Sequence, residues 1–393
     1  MLFKKKKKKL KEIISSADIG FTPIYHNDAI AIVHDACIVC VDGKKERTLD
    51  EKVKFISDKV KIGHESILEH SNYIVLLSFT GNPDNLEAYM NMVECFKYLN
   101  VKAKIYQSDG EPYGEVKLLI GGSARAYKHL ISSCANHNNP IYKTLVEYIQ
   151  YAIPSCFFSD LIQDNVLKEI DFLNLYFDDD YKNIDYKCNT KTTTIDDGII
   201  LYVDNIYDIH KRLDGVFDSY ELMDFCMVNT LFHNVSRACS HQIVRHRNGI
   251  TQLSQRYVDM KNAPMILPPL DIPSQAKNEM VILLDQIVNK YTELVDKYEM
   301  KKEDARYLLP NACATTLYMT FTFRNFLKAY QLRTGKGAQR EIHIVFDKLY
   351  SGLEKYWETQ FDKDLESCHP MEYLQPKLVF DGIEADKNLE SKK

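Results

Sequence analysis

Apolar residues along this chain recur at two periods, and the change from one to the other outlines its elements. Ile30 to Val41 is a mostly apolar run that fits a helix or a strand, and Leu49 to Val60 puts Val53, Ile56 and Val60 on one helical face. Tyr73 to Phe79, rich in β-branched and aromatic residues, reads as a strand closed by Asn82-Pro83. From about 81 to 220 the character changes. A helix with Leu86, Tyr89, Val93 and Phe96 on one face precedes a strand around Val116 to Ile120, a Gly121-Gly122 break into another helix, and an acidic stretch containing Asp178-Asp179-Asp180. From about 221, Met223, Cys226, Leu231, Val235 and Ala238 fit the inward face of a long helix that stops at Asn248-Gly249. A helix from Ser274 to Lys301, a break at Leu309-Pro310-Asn311, a strand over Thr315 to Phe323 and helices over Arg324 to Leu332 and Ala338 to Phe361 complete the pattern.

Composition narrows the function classes. Of the 393 residues 45% are hydrophobic and 27% charged, an ordinary globular balance. The net charge of -5 argues against a dedicated nucleic-acid binder, which needs a broad excess of Lys and Arg. Lys4 to Lys9 form a local basic run, read as a solvated tail. No stretch reaches the ~18 apolar residues of a membrane span, and the N-terminus lacks an apolar signal region, so a cytoplasmic protein is expected. The ten cysteines are spaced too widely for a disulfide scaffold, and the single CxxC pair, Cys37 and Cys40, sits among apolar residues that favour buried thiols; no metal site is expected.

Chemistry concentrates in three runs. In the first, Arg237, His241 and Arg245 recur every four residues as one basic stripe, with Gln242 beside His246 on the neighbouring face. Beyond Asn248-Gly249 an extended chain puts Gln252, Ser254 and Arg256 on one side, so two elements aim donors at one place. Arginine forks suit phosphate, while Ser and Gln suit a base edge or a sugar hydroxyl; the plainer account is a solvated basic helix end. The second run is Gly63-His64-Glu65-Ser66-Ile67-Leu68-Glu69-His70, where Ser66 and Glu69 have the spacing of a helix capping box. The third places Arg306 before a Pro break, Arg324 and Lys328 one helical turn apart, and Arg333 before Thr334-Gly335-Lys336-Gly337, a loop whose amides suit an anion. Gly122-Ser123-Ala124-Arg125-Ala126-Tyr127 loosely echoes Thr322-Phe323-Arg324-Asn325-Phe326, either as a second anion contact through Arg125 or as an ordinary strand-turn-helix.

Together these runs resemble the flavin-dependent thymidylate synthases. Arg245-His246-Arg247 followed by Ser254, Arg256 and Tyr257 is similar to the family signature with a turn one residue shorter. The Gly63 to His70 run is similar to its Gly-His-Glu-Ser/Thr-x-x-Glu-His segment, and Ala305 to Ile342 resembles its C-terminal half. The resemblance implies an α+β fold, a mixed sheet flanked by long helices, formed by 13–80 and 221–365 with an inserted α/β subdomain at 81–220. A basic tail at 1–12 and a peripheral tail at 366–393 lie outside it. It implies FAD held by Ser66, Arg245, His246, Arg247, Gln252, Arg324 and the positions of Thr322 and Lys328, which depart from the family's asparagines as Gly337 departs from its histidine. It implies dUMP held by Gln242, Arg245, Gln252, Leu253, Ser254, Gln255, Arg256, Arg306 and Arg333, with Arg333 and Ser254 closest to the chemistry. Methylenetetrahydrofolate would give the carbon, NADPH would recharge the flavin, and a homotetramer with shared sites is implied. A pyrimidine hydroxymethylase on the same cofactors, or a binding homologue without turnover, are the alternatives.

Overall fold

The computed structural model describes residues 19–26, 28–41, 43, 46–107, 113–134, 145–146, 149–150, 152–164, 167, 191–196, 199–204, 206–246 and 249–360. The lysine run, Asp178-Asp179-Asp180, Arg247, Asn248 and the tail at 366–393 lie outside the described residues. The first elements are β1 (Ile19–His26), α1 (Ala29–Val41), α2 (Leu49–Lys61), a 3-10 turn over Glu65–His70, β2 (Tyr73–Thr80) and α3 (Pro83–Met92). β3 (Asn100–Tyr106), β4 (Glu115–Gly122), α4 (Ala124–Cys134), α5 (Ser159–Gln163), β5 (Lys191–Asp196), β6 (Ile199–Val203), α6 (Ile206–Arg212) and α7 (Ser219–Leu222) follow. β7 (Met227–Ser236), α8 (Arg237–Ile243), β8 (Gly249–Gln252), α9 (Ser274–Asp296), α10 (Lys302–Ala305), β9 (Ala314–Thr322), α11 (Phe323–Thr334) and α12 (Arg340–Gln360) complete the chain.

The fold is α+β, but the expected mixed sheet is replaced by two antiparallel ones, ordered β1-β2-β4-β3 and β5-β6-β7-β9-β8. The expectation of an inserted subdomain over 81–220 meets a different arrangement: β4 pairs with β2 along its whole length and β3 closes the same sheet. Alternation along β2 explains how that sheet is covered. Tyr73, Val75, Leu77 and Phe79 point into a core with α1, α2, α4 and Phe157, while Ile74 points to the other side, where it joins Leu119 and Phe225. In the second sheet Val228, Phe232, Leu317, Met319 and Phe321 pack against Phe326, Phe346 and Leu349 of α11 and α12. Its opposite face takes Ile32 and Ala36 of α1 against Tyr318.

Three local expectations are corrected. The long helix from 221 is instead strand β7 followed by the short α8. Its alternation is broken by a bulge between Phe232 and Val235 with Asn234 at φ 52°, which throws apolar residues onto a false helical spacing. Ser66 and Glu69 form no capping box, because the segment is a 3-10 turn without a side-chain cap and Glu69 pairs with Arg125. Helix α9 ends at Asp296 rather than Lys301, since Glu299 turns to φ 52° and the Tyr298 and Met300 amides close back on the Glu293 and Leu294 carbonyls. By contrast α2 starts where a cap is written: Thr48 accepts from the Glu51 amide and Glu51 answers on the Thr48 amide.

The described cysteines Cys37, Cys40, Cys95, Cys156, Cys226, Cys239 and Cys313 are all free thiols. Burial pushes Cys37 up to about 11 and Cys156 up to about 12.

Candidate active site

The basic and amide side chains singled out above gather in three groups. The first lies where the end of α8 meets the end of α11. Arg333, in the last turn of α11, donates from Nε to His246 Nε2 at 2.9 Å and from Nη2 to the Gln242 carbonyl at 2.9 Å. Because Nε must donate, His246 accepts and is the neutral tautomer carrying its proton on Nδ1. Burial first, and the Arg333 charge second, lower His246 to about 4. Burial also lowers the Arg333 guanidinium below its ordinary value. The His246 ring is wedged between Phe321 and Phe346, and the Gln242 side chain bonds Gln339.

A second group surrounds the turn after β8. The expected extended run ends at Gln252, so Ser254 and Arg256 lie in a turn and do not share a strand face with it. Ser254 Oγ accepts from the Arg256 amide, and the Ser254 amide is anchored on the Cys40 carbonyl at 2.9 Å. Gln252 donates to Ser240 and Thr315, and buried Gln255 reaches Cys313. Leu253 is half-buried in the small apolar cluster of Met260 and Tyr291. Arg256 pairs with the Glu303 carboxylate at 3.0 Å while Arg306 donates to the Glu303 carbonyl at 3.1 Å. Arg237 lies within reach of Arg306 and Cys313, with burial lowering its guanidinium. The expected stripe of Arg237, His241 and Arg245 is thereby split. Arg237 is half-buried, whereas His241 and Arg245 are exposed, because α8 lasts only 7 residues before tightening into a 3-10 turn.

The third group occupies the corner where β9 enters α11. Thr322 caps α11 by accepting from the Asn325 amide, and Arg324 pairs with Asp224 at 2.7 Å. Beside Thr322 opens a cavity of about 750 Å³ lined largely by the first half of the chain, with Glu65, Glu69, Ser123, Arg125, Lys128 and Asp160, together with Met227, Gly249, Thr320 and Thr322. Gly249 is required there, since a Cβ would come within 3.0 Å of the Glu69 backbone. Ser66 is exposed on the same 3-10 turn and Lys328 is exposed on α11. Arg324 and Arg333 stand nine residues apart on one helix, about 13 Å along its axis.

The basic and amide residues of these groups, the cavity's Arg125 and Lys128 apart, lie on one contiguous stretch of a known pattern. Residues 209–357 match the family model described as thymidylate synthase complementing protein. That segment, a little over a third of the chain, is similar to this family. Among relatives, the flavin-dependent thymidylate synthase of Clostridium tetani is 29% identical over 151 residues, covering 34% of this chain and 61% of that protein. The enzyme of the same name from Mycobacterium avium is 29% identical over 139 residues, covering 31% and 56%. The match thus spans under two thirds of either relative. The crystal structure of flavin-dependent thymidylate synthase ThyX from Helicobacter pylori complexed with FAD and dUMP aligns with 42% of this chain and 84% of its own, at 19% identity. Its TM-score of 0.30 is too low for the superposition to bear on this fold.

The family segment runs from α6 to α12 and so contains these basic and amide residues of all three groups, but not Cys40, Ser66 or the cavity's Glu65, Glu69, Ser123, Arg125, Lys128 and Asp160. The partners that fix the basic residues were not legible in the runs themselves: Asp224 on Arg324, Glu303 between Arg256 and Arg306, and Glu341, which holds Ser236 at the start of α8. Asp224 had one available signal. It precedes its strand as Glu69 precedes β2.

Proposed function

We propose that the chain is a flavin-dependent thymidylate synthase, forming dTMP from dUMP with methylenetetrahydrofolate as carbon donor and NADPH as the source of reducing equivalents. One observation carries this reading. Arg333 is held by a neutral imidazole and a backbone carbonyl so that Nη1 remains for a ligand. A guanidinium oriented in a half-buried position stabilises negative charge developing on a uracil ring and so strengthens the ring carbon as nucleophile. His246 serves as the acceptor that fixes the fork, and its low pKa keeps it in that role at neutral pH.

The residues present also suit FAD. The cavity of about 750 Å³ falls in the size range of cofactor pockets, and it mixes apolar Met227 and Leu161 with the hydroxyls of Thr320 and Thr322 and with the ion-paired Arg125, Lys128, Glu65, Glu69 and Asp160. Ser66, Arg245, His246, Gln252, Thr322, Arg324 and Lys328 would hold the flavin, with the arginines on its phosphates; of these Thr322 lines the cavity itself. When bound, reduced flavin supplies hydride to the one-carbon unit. Gln242, Arg245, Gln252, Leu253, Ser254, Gln255, Arg256, Arg306 and Arg333 would hold the nucleotide. Their division into separate groups supports sites completed between chains of a homotetramer, as do the exposed apolar residues Val281, Ile282 and Leu283 on α9.

Arg256→Ala is expected to raise KM for dUMP with little change in kcat and no change in Tm, because its ion pair with Glu303 is exposed. Steady-state kinetics with a melting curve check both halves of that statement. The decisive test of the activity is anaerobic mixing of the flavin-loaded protein with dUMP, methylenetetrahydrofolate and NADPH, with product mass and flavin absorbance followed together. dTMP with flavin reoxidation is the expected result. A hydroxymethylated product would replace the synthase by its sister activity, and a protein that takes up no flavin would end the enzymatic reading.

A further inference from the structure

The two sheets are built alike. With β5 set aside, each runs first, second, fourth, third strand, antiparallel throughout. In the first, Tyr73 faces Gly122 and Asn100 faces Gly121; in the second, Val228 faces Phe321 and Gly249 faces Thr320. Matching those registers sets Glu69 on Asp224, His70 on Phe225, Ser123 on Thr322 and Arg125 on Arg324. The matched residues do the same things. Ser123 caps α4 on the Ala126 amide as Thr322 caps α11 on the Asn325 amide, and Arg125 pairs with Glu69 as Arg324 pairs with Asp224.

Contacts between the halves also recur with the partners exchanged. His70 Nδ1 lies 2.8 Å from Thr320 Oγ1, and its counterpart Phe225 lies under Gly121, where a Cβ would come within 2.6 Å of the ring. Glu69 abuts Gly249, and its counterpart Asp224 accepts through its carbonyl from Asn100 at 2.6 Å. α1 packs on the second sheet through Ile32 and Ala36, while Ile209 of α6 packs with Ile74 and Leu119 of the first. A contact that reappears with its partners swapped is the mark of an isologous, two-fold interface.

Charge breaks the likeness. The helix after the second strand carries Arg237 and His241, with Arg245 and His246 just beyond it, in the C-terminal copy; its counterpart Pro83–Met92 has no Lys, Arg or His. Arg333 is matched by Cys134, and Lys328 by His129. Buried Leu327 is matched by Lys128, which is 6% exposed and paired with Glu65 and Asp160. Around Arg125 and Lys128 stand the carboxylates of Glu65, Glu69 and Asp160, so an incoming phosphate meets acidic groups already neutralising both cations.

We propose that the chain is a tandem pair of one unit folded on itself as a two-fold dimer, with a single site for a phosphate-bearing ligand, at Arg324 and the basic residues around Arg333 in the C-terminal copy, the ion-paired Arg125 and Lys128 corner being its spent counterpart. The choice of FAD as the ligand rests on the function proposed above. The test is titration of the full-length protein, Arg324→Ala and Lys128→Met with FAD, alongside melting of each protein without ligand. One flavin per chain is expected, with at least about tenfold weaker binding in Arg324→Ala, since a charge-assisted contact is lost. Lys128→Met is expected to melt below both other proteins, because it takes from Asp160 its ion-pair partner and leaves Glu65 only the longer contact to Arg125. Two flavins per chain would overturn the proposal, as would a Lys128→Met protein that melts like the wild type and has lost flavin. If the wild type takes no flavin, the proposed activity fails, and the melting order decides this inference alone: Arg324→Ala melting below Lys128→Met would overturn it.

Discussion

Arg333→Ala is expected to lower turnover by about a hundredfold or more while the protein stays folded and keeps its flavin. The magnitude is that of removing a preorganised donor from a developing anion, ~10²–10³ in rate. Retention of fold follows from position: Arg333 ends α11 and is only partly buried, so the apolar anchors Phe323, Phe326, Leu327 and Ala329 are untouched. The substitution also removes the second of the two causes that hold His246 near 4, so the imidazole should titrate at higher pH in the variant. Single-turnover kinetics at matched flavin content, with the His246 titration followed by NMR, read both effects. A wild-type rate in Arg333→Ala would remove the basis for ring activation.

His70→Ala is expected to cost about 2–4 kcal/mol of stability, the largest effect anticipated for any single site, because it combines a cavity with broken buried hydrogen bonds. The fully buried ring joins β8 and β9 through Thr251 at 2.9 Å and Thr320 at 2.8 Å, and meets Tyr318 edge-on with centroids 5.0 Å apart. Burial lowers His70 from 6.5 to about 3. For a base whose folded pKa is depressed, the unfolded chain binds the extra proton. Its contribution is therefore fully present above about 6.5 and is lost as pH falls from there toward 3. His246, lowered to about 4, works in the same direction over the upper part of that window. Urea unfolding across this range should give a stability that falls toward acid, with a shallower slope in His70→Ala. Equal slopes would mean that His70 is not held neutral by the fold.

Much of the fold could be read from residue order where a single face or a cap decides the structure. Leu49–Lys61 announced itself by Thr48, Glu51 and its apolar face, and Tyr73–Thr80 and Ala314–Thr322 by β-branched and aromatic density. β7 was hidden because it is buried on both faces and bulged at Asn234, so neither period survives intact. The family resemblance singled out basic residues, whereas the contacts among them were not legible. Arg333 and His246 are 87 positions apart, and nothing local to either signals the contact. Ser66 and Glu69 show the opposite failure: a valid local pattern was overridden when Arg125, 56 positions on, offered Glu69 an ion pair. The echo of Gly122 to Tyr127 in Thr322 to Phe326 was visible in the residues. Its meaning came only from the matching registers of two sheets.

The free thiols turn this protein into its own reporter of internal motion. Cys37 and Cys156, pushed to about 11 and about 12, offer almost no thiolate at neutral pH and little access while packed. An alkylating reagent therefore reacts at these positions only as fast as the surrounding structure opens. Cys37 and Cys156 belong to the core around β2, and Cys226 and Cys239 to the core around β7 and α12, so each labelled peptide carries an address. The order in which those peptides gain mass is a clock that records which half of the molecule breathes first.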